Sequence, residues 1–197
     1  MNDTLMLDVS QAHELKMGFR RHDWTNTLIK QLSEGENLGM VREFLLGRAE
    51  FKRIEHIVDL DADPFVPNGW AVEEHRKGGQ WKWNPTSLVL YLSKKQQGGK
   101  VICGTNLRKE LAKKRVLNAN LLDYLIKSEN QYLIPESWKK DENENTRYIF
   151  FWGTIYRGSS GSLYVRDLFW YGGGWVSSYR WLGDDWDGDD PALSLAS

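Results

Sequence analysis

The stretch Arg147–Leu182, RYIFFWGTIYRGSSGSLYVRDLFWYGGGWVSSYRWL, decides the reading of this chain. Three runs rich in aromatic and β-branched residues are joined by two glycine-rich turns, GSSG and YGGG. That pattern predicts an antiparallel meander. In its first run Tyr148, Phe150, Trp152, Thr154 and Tyr156 share one face, and Ile149, Phe151, Gly153, Ile155 and Arg157 the other. Both faces are apolar in the middle, so this strand is expected at the centre of a sheet. The second run sets Tyr164, Arg166, Leu168 and Trp170 against Leu163, Val165, Asp167 and Phe169. The third sets Trp175, Ser177, Tyr179 and Trp181 against Val176, Ser178, Arg180 and Leu182. Small residues beside large rings predict shallow pockets. Trp and Tyr flanked by Arg can stack bases, grip proline-rich peptides or bind sugars. Arg166, Trp170, Trp175, Tyr179, Arg180 and Trp181 are therefore the candidate binding residues, against the plainer reading of cross-strand aromatic pairs that stabilise the sheet.

The rest of the chain supplies the setting. It has 197 residues, 41% hydrophobic and 27% charged, enough for one substantial domain or a domain with an appendage. Ten tryptophans exceed what a surface needs, so most are expected in the core. A net charge of -1 argues against a polybasic coat for nucleic acid or membrane, although a local basic patch remains open. One cysteine, Cys103, forbids an internal disulfide and is read as a small buried hydrophobe in a reducing cytoplasm. No secretory leader or membrane-length apolar run is visible, so a soluble, cytoplasmic protein is expected.

Residues 8 to about 50 read as three short helices. Asp8 or Ser10 caps the first, Asp23 the second and Asn37 opens the third, with Gly35 as a stop and Val41, Phe44 and Leu45 inward. A helical bundle is preferred here over a helix-turn-helix using Arg20, Arg21, His22 and Lys30, because Glu34, Glu36 and Glu43 break the basic face.

Ile54 to Leu60 reads as a strand, ended by Pro64 and Pro67. Asp59, Asp61 and Asp63 alternate as in hard-cation sites, but Pro64 occupies the position where a calcium loop needs glycine. Two local hairpins are predicted: Trp70 and Val72 against Trp81 and Trp83 across Lys77-Gly78-Gly79, and SLVLYLS against KVICG. Leu88–Leu92 reads as a strand buried on both faces. Next come a helix with Leu107 and Leu111 inward, and one capped by Asn118 or Asn120 with an apolar stripe of Leu121, Leu122, Leu125 and Ile126. Arg108, Lys109, Lys113, Lys114 and Arg115 form the densest basic cluster, which suits phosphates, an acidic partner or plain solvent. Five aspartates between Asp184 and Asp190 are read as an acidic turn that discourages edge pairing, not as a metal loop.

The pieces DLDADPFVPNGW, VEEHRKGGQWKW, LYLSKKQ, LNANLLDYL, IPESW, FFWGTIYR, LYVR and DWDGDDPA, taken together, resemble a family of uncharacterised proteins of environmental bacteria. The resemblance covers the chain from about Leu15 onward. It implies a bacterial, cytoplasmic, accessory protein and carries over no catalytic residue.

These readings converge on an α+β fold: a helical segment at 1–52, then a mostly antiparallel, Trp-rich sheet with two packed helices at 53–197. The expected function is non-enzymatic binding of a protein or a nucleic acid through the aromatic and arginine face, with no cofactor and no metal. Edge strands and surplus aromatics are compatible with a homodimer. The alternative is a small hydrolase or nuclease that uses Asp59, Asp61, Glu73 or Glu74 with His56 or His75, and it requires those groups to converge in a pocket.

Overall fold

A computed structural model describes residues 8–52 and 54–196. The chain divides into two compact units, Met1–Ile54 and Glu55–Ser197.

The first unit holds α1 (Val9–Arg21), α2 (Asn26–Ser33) and α3 (Asn37–Leu45). Asp8 caps α1 reciprocally with Gln11: each backbone N–H donates to the other's side chain, at 2.8 and 3.2 Å. The second cap is Thr25 rather than Asp23; its hydroxyl accepts from Leu28 N. Asp23 instead turns the chain in a left-handed conformation, φ 55°, which a short polar side chain tolerates. Gly35 ends α2 with the same φ, as expected of a residue just past a helix. Residue 37 does open α3, with Glu36 as its cap position. None of the three helices buries a residue, and Leu45, expected inward, is 76% exposed.

The second unit contains β1 (Ile57–Asp59), β2 (Ala71–His75), β3 (Gln80–Lys82), β4 (Leu88–Tyr91), β5 (Ile102–Cys103), α4 (Gly104–Leu111), α5 (Ala119–Leu125), β6 (Ile149–Arg157), β7 (Leu163–Tyr171), β8 (Gly174–Trp181), β9 (Asp185–Trp186) and β10 (Ala192–Leu195). The main sheet runs β4-β10-β6-β7-β8, with β2 also paired to β6. All its pairings are antiparallel except the short β10–β6 contact. The fold is α+β, and the meander is present as β6-β7-β8. Its second turn is closed by the Tyr171↔Gly174 pair around Gly172 and Gly173, whose φ of 61° and 89° suit a tight two-residue hairpin.

Both early hairpins are absent. β2 pairs with β6 and β3 with β1; β4 pairs with β10 and β5 with β9. In these pairings Trp81 of β3 and Leu88 and Leu90 of β4 pack against one core cluster, and Ile102 of β5 lies in the other, whereas β2 buries no residue. β4 is consequently an edge strand with Val89 43% exposed, not a central one. The predicted strand from Ile54 shrinks to Ile57–Asp59.

β6 is the central strand, buried from Ile149 through Tyr156. Its alternation breaks once. Ile149 and Phe151 lie in one core cluster, while Phe150 and Trp152 lie in the other together with Ile155. The register against β7 shifts between Phe150 and Ile155. Gly153 marks the break: a Cβ there would stand 2.8 Å from the Leu117 carbonyl and the Asn118 nitrogen, and Gly153 N donates to Leu117 O at 2.8 Å. The bulge moves Thr154 and Tyr156 to the face opposite the one their parity with Phe150 predicts.

Each sheet face carries a packed layer. On one side α5 supplies Leu121, Leu122 and Leu125, and β1 supplies Val58, packed against Ile149, Phe151, Leu168, Trp175 and Leu193. On the other, Leu107 and Leu111 of α4, Ile102 and Trp186 pack on Phe150, Trp152, Ile155 and Val165. Asn118 caps α5 and is 1% exposed; its amide also donates to Leu60 O at 2.7 Å and Arg76 O at 2.9 Å.

Candidate functional site

The α5 side of the sheet leaves one corner uncovered. There, Tyr164 of β7 lies opposite Trp181 of β8, and Arg166 opposite Tyr179. Trp70, from the loop before β2, packs across them, 4.6 Å from the Tyr164 ring and 5.0 Å from Tyr179. Gly158 lies beneath the Trp70–Tyr164 pair, where a Cβ would stand 3.0 Å from Tyr164. Trp181 is 48% exposed and rests on Gly183, and the other three rings are half-buried.

Below this corner lies an ion pair whose cation is buried and whose carboxylate is half-buried. Arg166 is 7% exposed; its Nη1 donates to Asp123 at 2.6 Å and its Nη2 to the Ser177 hydroxyl at 3.3 Å. Its guanidinium also stands 5.5 Å from the centre of the Tyr179 ring. Arg166 Nε and the Tyr156 hydroxyl are buried with no hydrogen-bond partner among the described residues. Burial pushes the Tyr156 phenol up to about 12, against the opposing pull of Arg166. Such a pair fixes the floor of the corner and keeps its guanidinium out of a ligand's reach.

The sequence-predicted binding residues therefore separate. Trp181 and Tyr179 stay at the surface. Trp175 is 5% exposed and belongs to the core, and Arg166 is inside, so neither meets a ligand directly. Trp170 is half-buried under the Lys139 ammonium, 3.6 Å from its ring centre. Arg180 points to the other face, where it donates to Asp190 at 2.5 Å and to the Asp185 carbonyl at 2.9 Å, beside the Trp186 ring. The expected pockets beside Ser177 and Ser178 are occupied by hydrogen bonds from Arg166 and to Asp167. Trp70 and Tyr164 were missed. Tyr164 was legible from its parity with Arg166, whereas nothing local links Trp70 to the meander.

β8 is a free edge among the described residues. Leu182 N donates to Leu163 O at 2.8 Å, and Ser178 N turns to the Asp167 carboxylate on β7. Even-numbered residues of β8 thus bond inward, and the amides of Ser177, Tyr179 and Trp181 point outward. Trp175 N is met by Gln131 Oε1 and Trp181 O by Asp184 N, which bounds the open segment.

The acid–base set does not converge. Asp59 Oδ1 accepts from Asp61 N and Ala62 N, and Asp61 accepts from Gly78 N and Gly79 N, so both shape turns. Those backbone donors, Gly79 first, hold the Asp61 carboxyl below its ordinary range. Glu73 pairs with Arg157, and Glu74 with Arg76 and Arg108. His56 is bonded to Tyr124 and Tyr132; His75 to Thr154 and the Leu60 carbonyl. Cys103 is half-buried rather than buried, and its thiol faces the Thr105 hydroxyl at 3.2 Å. Among the described residues no group of three or more His, Cys, Asp or Glu is placed to hold a metal ion. Among them, too, no helix is long and apolar enough to cross a membrane.

The basic cluster divides as well. Arg108 and Lys109 line a hollow beside β2, whereas Lys113, Lys114 and Arg115 lie past the end of α4 and outside it. Lys114 stands over the Tyr91 ring at 4.7 Å. No family model, no curated protein and no solved structure matches this chain.

Proposed function

We propose that this protein is a non-enzymatic binding protein whose aromatic corner and β8 edge receive an extended segment of a protein partner. The carrying observation is the coincidence of outward backbone groups at Ser177 and Tyr179 with the exposed Trp181 ring on the same short segment. A strand added there gains main-chain hydrogen bonds from the edge and side-chain contacts from Tyr179 and Trp181. Asp184 and Asp185 are exposed beside Trp181 and join no ion pair among the described residues, which favours a partner with Lys or Arg and disfavours a phosphate backbone. A protein is thus preferred to a nucleic acid. A second copy of the chain is one such partner. The proposal includes a cytoplasmic, bacterial setting, supported by the single free thiol and by the family resemblance.

Two variants test it. In S177P an outward donor is lost while the β7 ladder is untouched; W181A removes the exposed ring. A partner retained by the wild-type protein from a bacterial lysate, or self-association seen by sedimentation, is expected to be lost in both. Partners held equally by wild type and both variants would refute the assignment.

A further inference from the structure

Away from the aromatic corner, Thr105, Arg108, Lys109 and Ala112 follow one another at i, i+3, i+4 and i+7, so they share one face of α4 and its last turn. With Glu74 and Arg76 they line a hollow of about 360 Å³.

Two guanidinium groups this close repel unless something holds them. Glu74 does: its Oε1 accepts from Arg76 Nε at 2.7 Å and its Oε2 from Arg108 Nη2 at 3.0 Å. Burial raises the Glu74 carboxyl, but the bonds from Arg76 and Arg108 hold it below its ordinary range, so it stays charged. Arg76 is fixed a second time. Its Nη1 donates to Leu111 O at 3.1 Å and Lys114 O at 3.3 Å, carbonyls at the end of α4 and just past it.

These bonds consume Arg76 Nε and Nη1, Arg108 Nη2 and both oxygens of Glu74. Among the described residues they leave Arg76 Nη2 and Arg108 Nε and Nη1 without a protein partner, and Lys109 is exposed and joins no ion pair. The hollow therefore holds three cations against one carboxylate, both of whose oxygens are turned to the guanidiniums. Its two guanidiniums are fixed before any ligand arrives, so little of their ordering entropy is lost on binding. Thr105 adds a hydroxyl, and Ala112 a methyl wall.

We propose that this hollow is an oxyanion site that takes a dianionic phosphate group, either free or carried on a small organic ligand. Its volume lies within the range of small-molecule sites. It shares no residue with the β8 edge and does not depend on that reading.

Calorimetric titration of the full chain with inorganic phosphate and with phenyl phosphate, at constant low chloride, tests the proposal. Saturable binding is expected, with K109Q and R108Q each weakening it about tenfold and W181A binding as the wild type does. Lys109 is exposed, so K109Q keeps the fold, and a thermal melt checks R108Q. Tighter binding of phenyl phosphate supports a phosphomonoester ligand, and equal binding supports free phosphate. No saturation with either probe, or wild-type affinity in both K109Q and R108Q, overturns the site.

Discussion

Gly153 decides more than its size suggests. Its missing side chain lets the backbone at Leu117 and Asn118 reach β6. G153A drives a methyl into main chain that has nowhere to go, and it should cost about 2–3 kcal/mol in denaturant unfolding. Asn118 is the companion test. N118A strands the Arg76 carbonyl, leaves the Leu60 carbonyl to His75 alone and removes the α5 cap, with a loss of similar size, about 2–3 kcal/mol. Acid titration offers another. Burial pushes the Asp190 carboxyl up to about 6, against the pull of the Asp187 amide and Arg180. The folded state then holds a proton between pH 4 and 6 that the unfolded chain has already released. This contribution is fully present below about pH 4 and is lost as pH rises through 6. Wild type should therefore gain stability relative to D190N as pH falls from 7 to 5, by at most about 2 kcal/mol. Equal pH slopes in the two proteins would remove the assignment. Single residues were partly legible in the sequence. Side-chain chemistry alone narrows the caps to Asp8 or Ser10 and to Asn118 or Asn120, of which Asp8 and Asn118 serve, but the packing of Trp70 on Tyr164 needs a chain path that no local pattern encodes.

Among the elements, those closed by their own turns were readable. β7 and β8 meet across Gly172 and Gly173, and the long aromatic runs have no better use than pairing. β2 and β4 were misread because a short loop beside two apolar runs looks like a hairpin whatever the strands later do. Their real partners, β6 and β10, are far along the chain; for β4 the choice goes with packing of Leu88 and Leu90 on a core cluster, and for β2 with main-chain pairing to the buried β6. The bulge at Gly153 also inverted the facing of the second half of β6, because one slipped residue exchanges the two sides of a strand. β10 is the most consequential element for its length. It pairs with β4 on one side, and on the other it meets Phe150, while Leu117 N donates to Leu193 O. A chain cut after Asp190 should lose cooperative unfolding and its near-ultraviolet circular dichroism together.

At the scale of the molecule, both core clusters are drawn wholly from Glu55–Ser197. That segment expressed alone should unfold in one cooperative transition. The three helices of the first unit bury nothing of their own, so the isolated segment 1–54 should be only partly helical in water. The same disparity explains what could be inferred about function. A binding surface is legible when it coincides with exposed rings, as at Trp181, whereas the α4 hollow arises from Glu74 joining arginines 32 residues apart, Arg76 and Arg108.

The place of β10 also bears on how the protein is made. Leu90 waits for Leu193, about a hundred residues later. At translation rates of about 5–20 residues per second, a ribosome extends the chain for roughly 5 to 20 seconds with the LVLYL segment unpaired. Through that interval an apolar strand stands open to neighbouring nascent chains. A cell that makes this protein in quantity must shield the segment with a chaperone or lose part of the yield to aggregates.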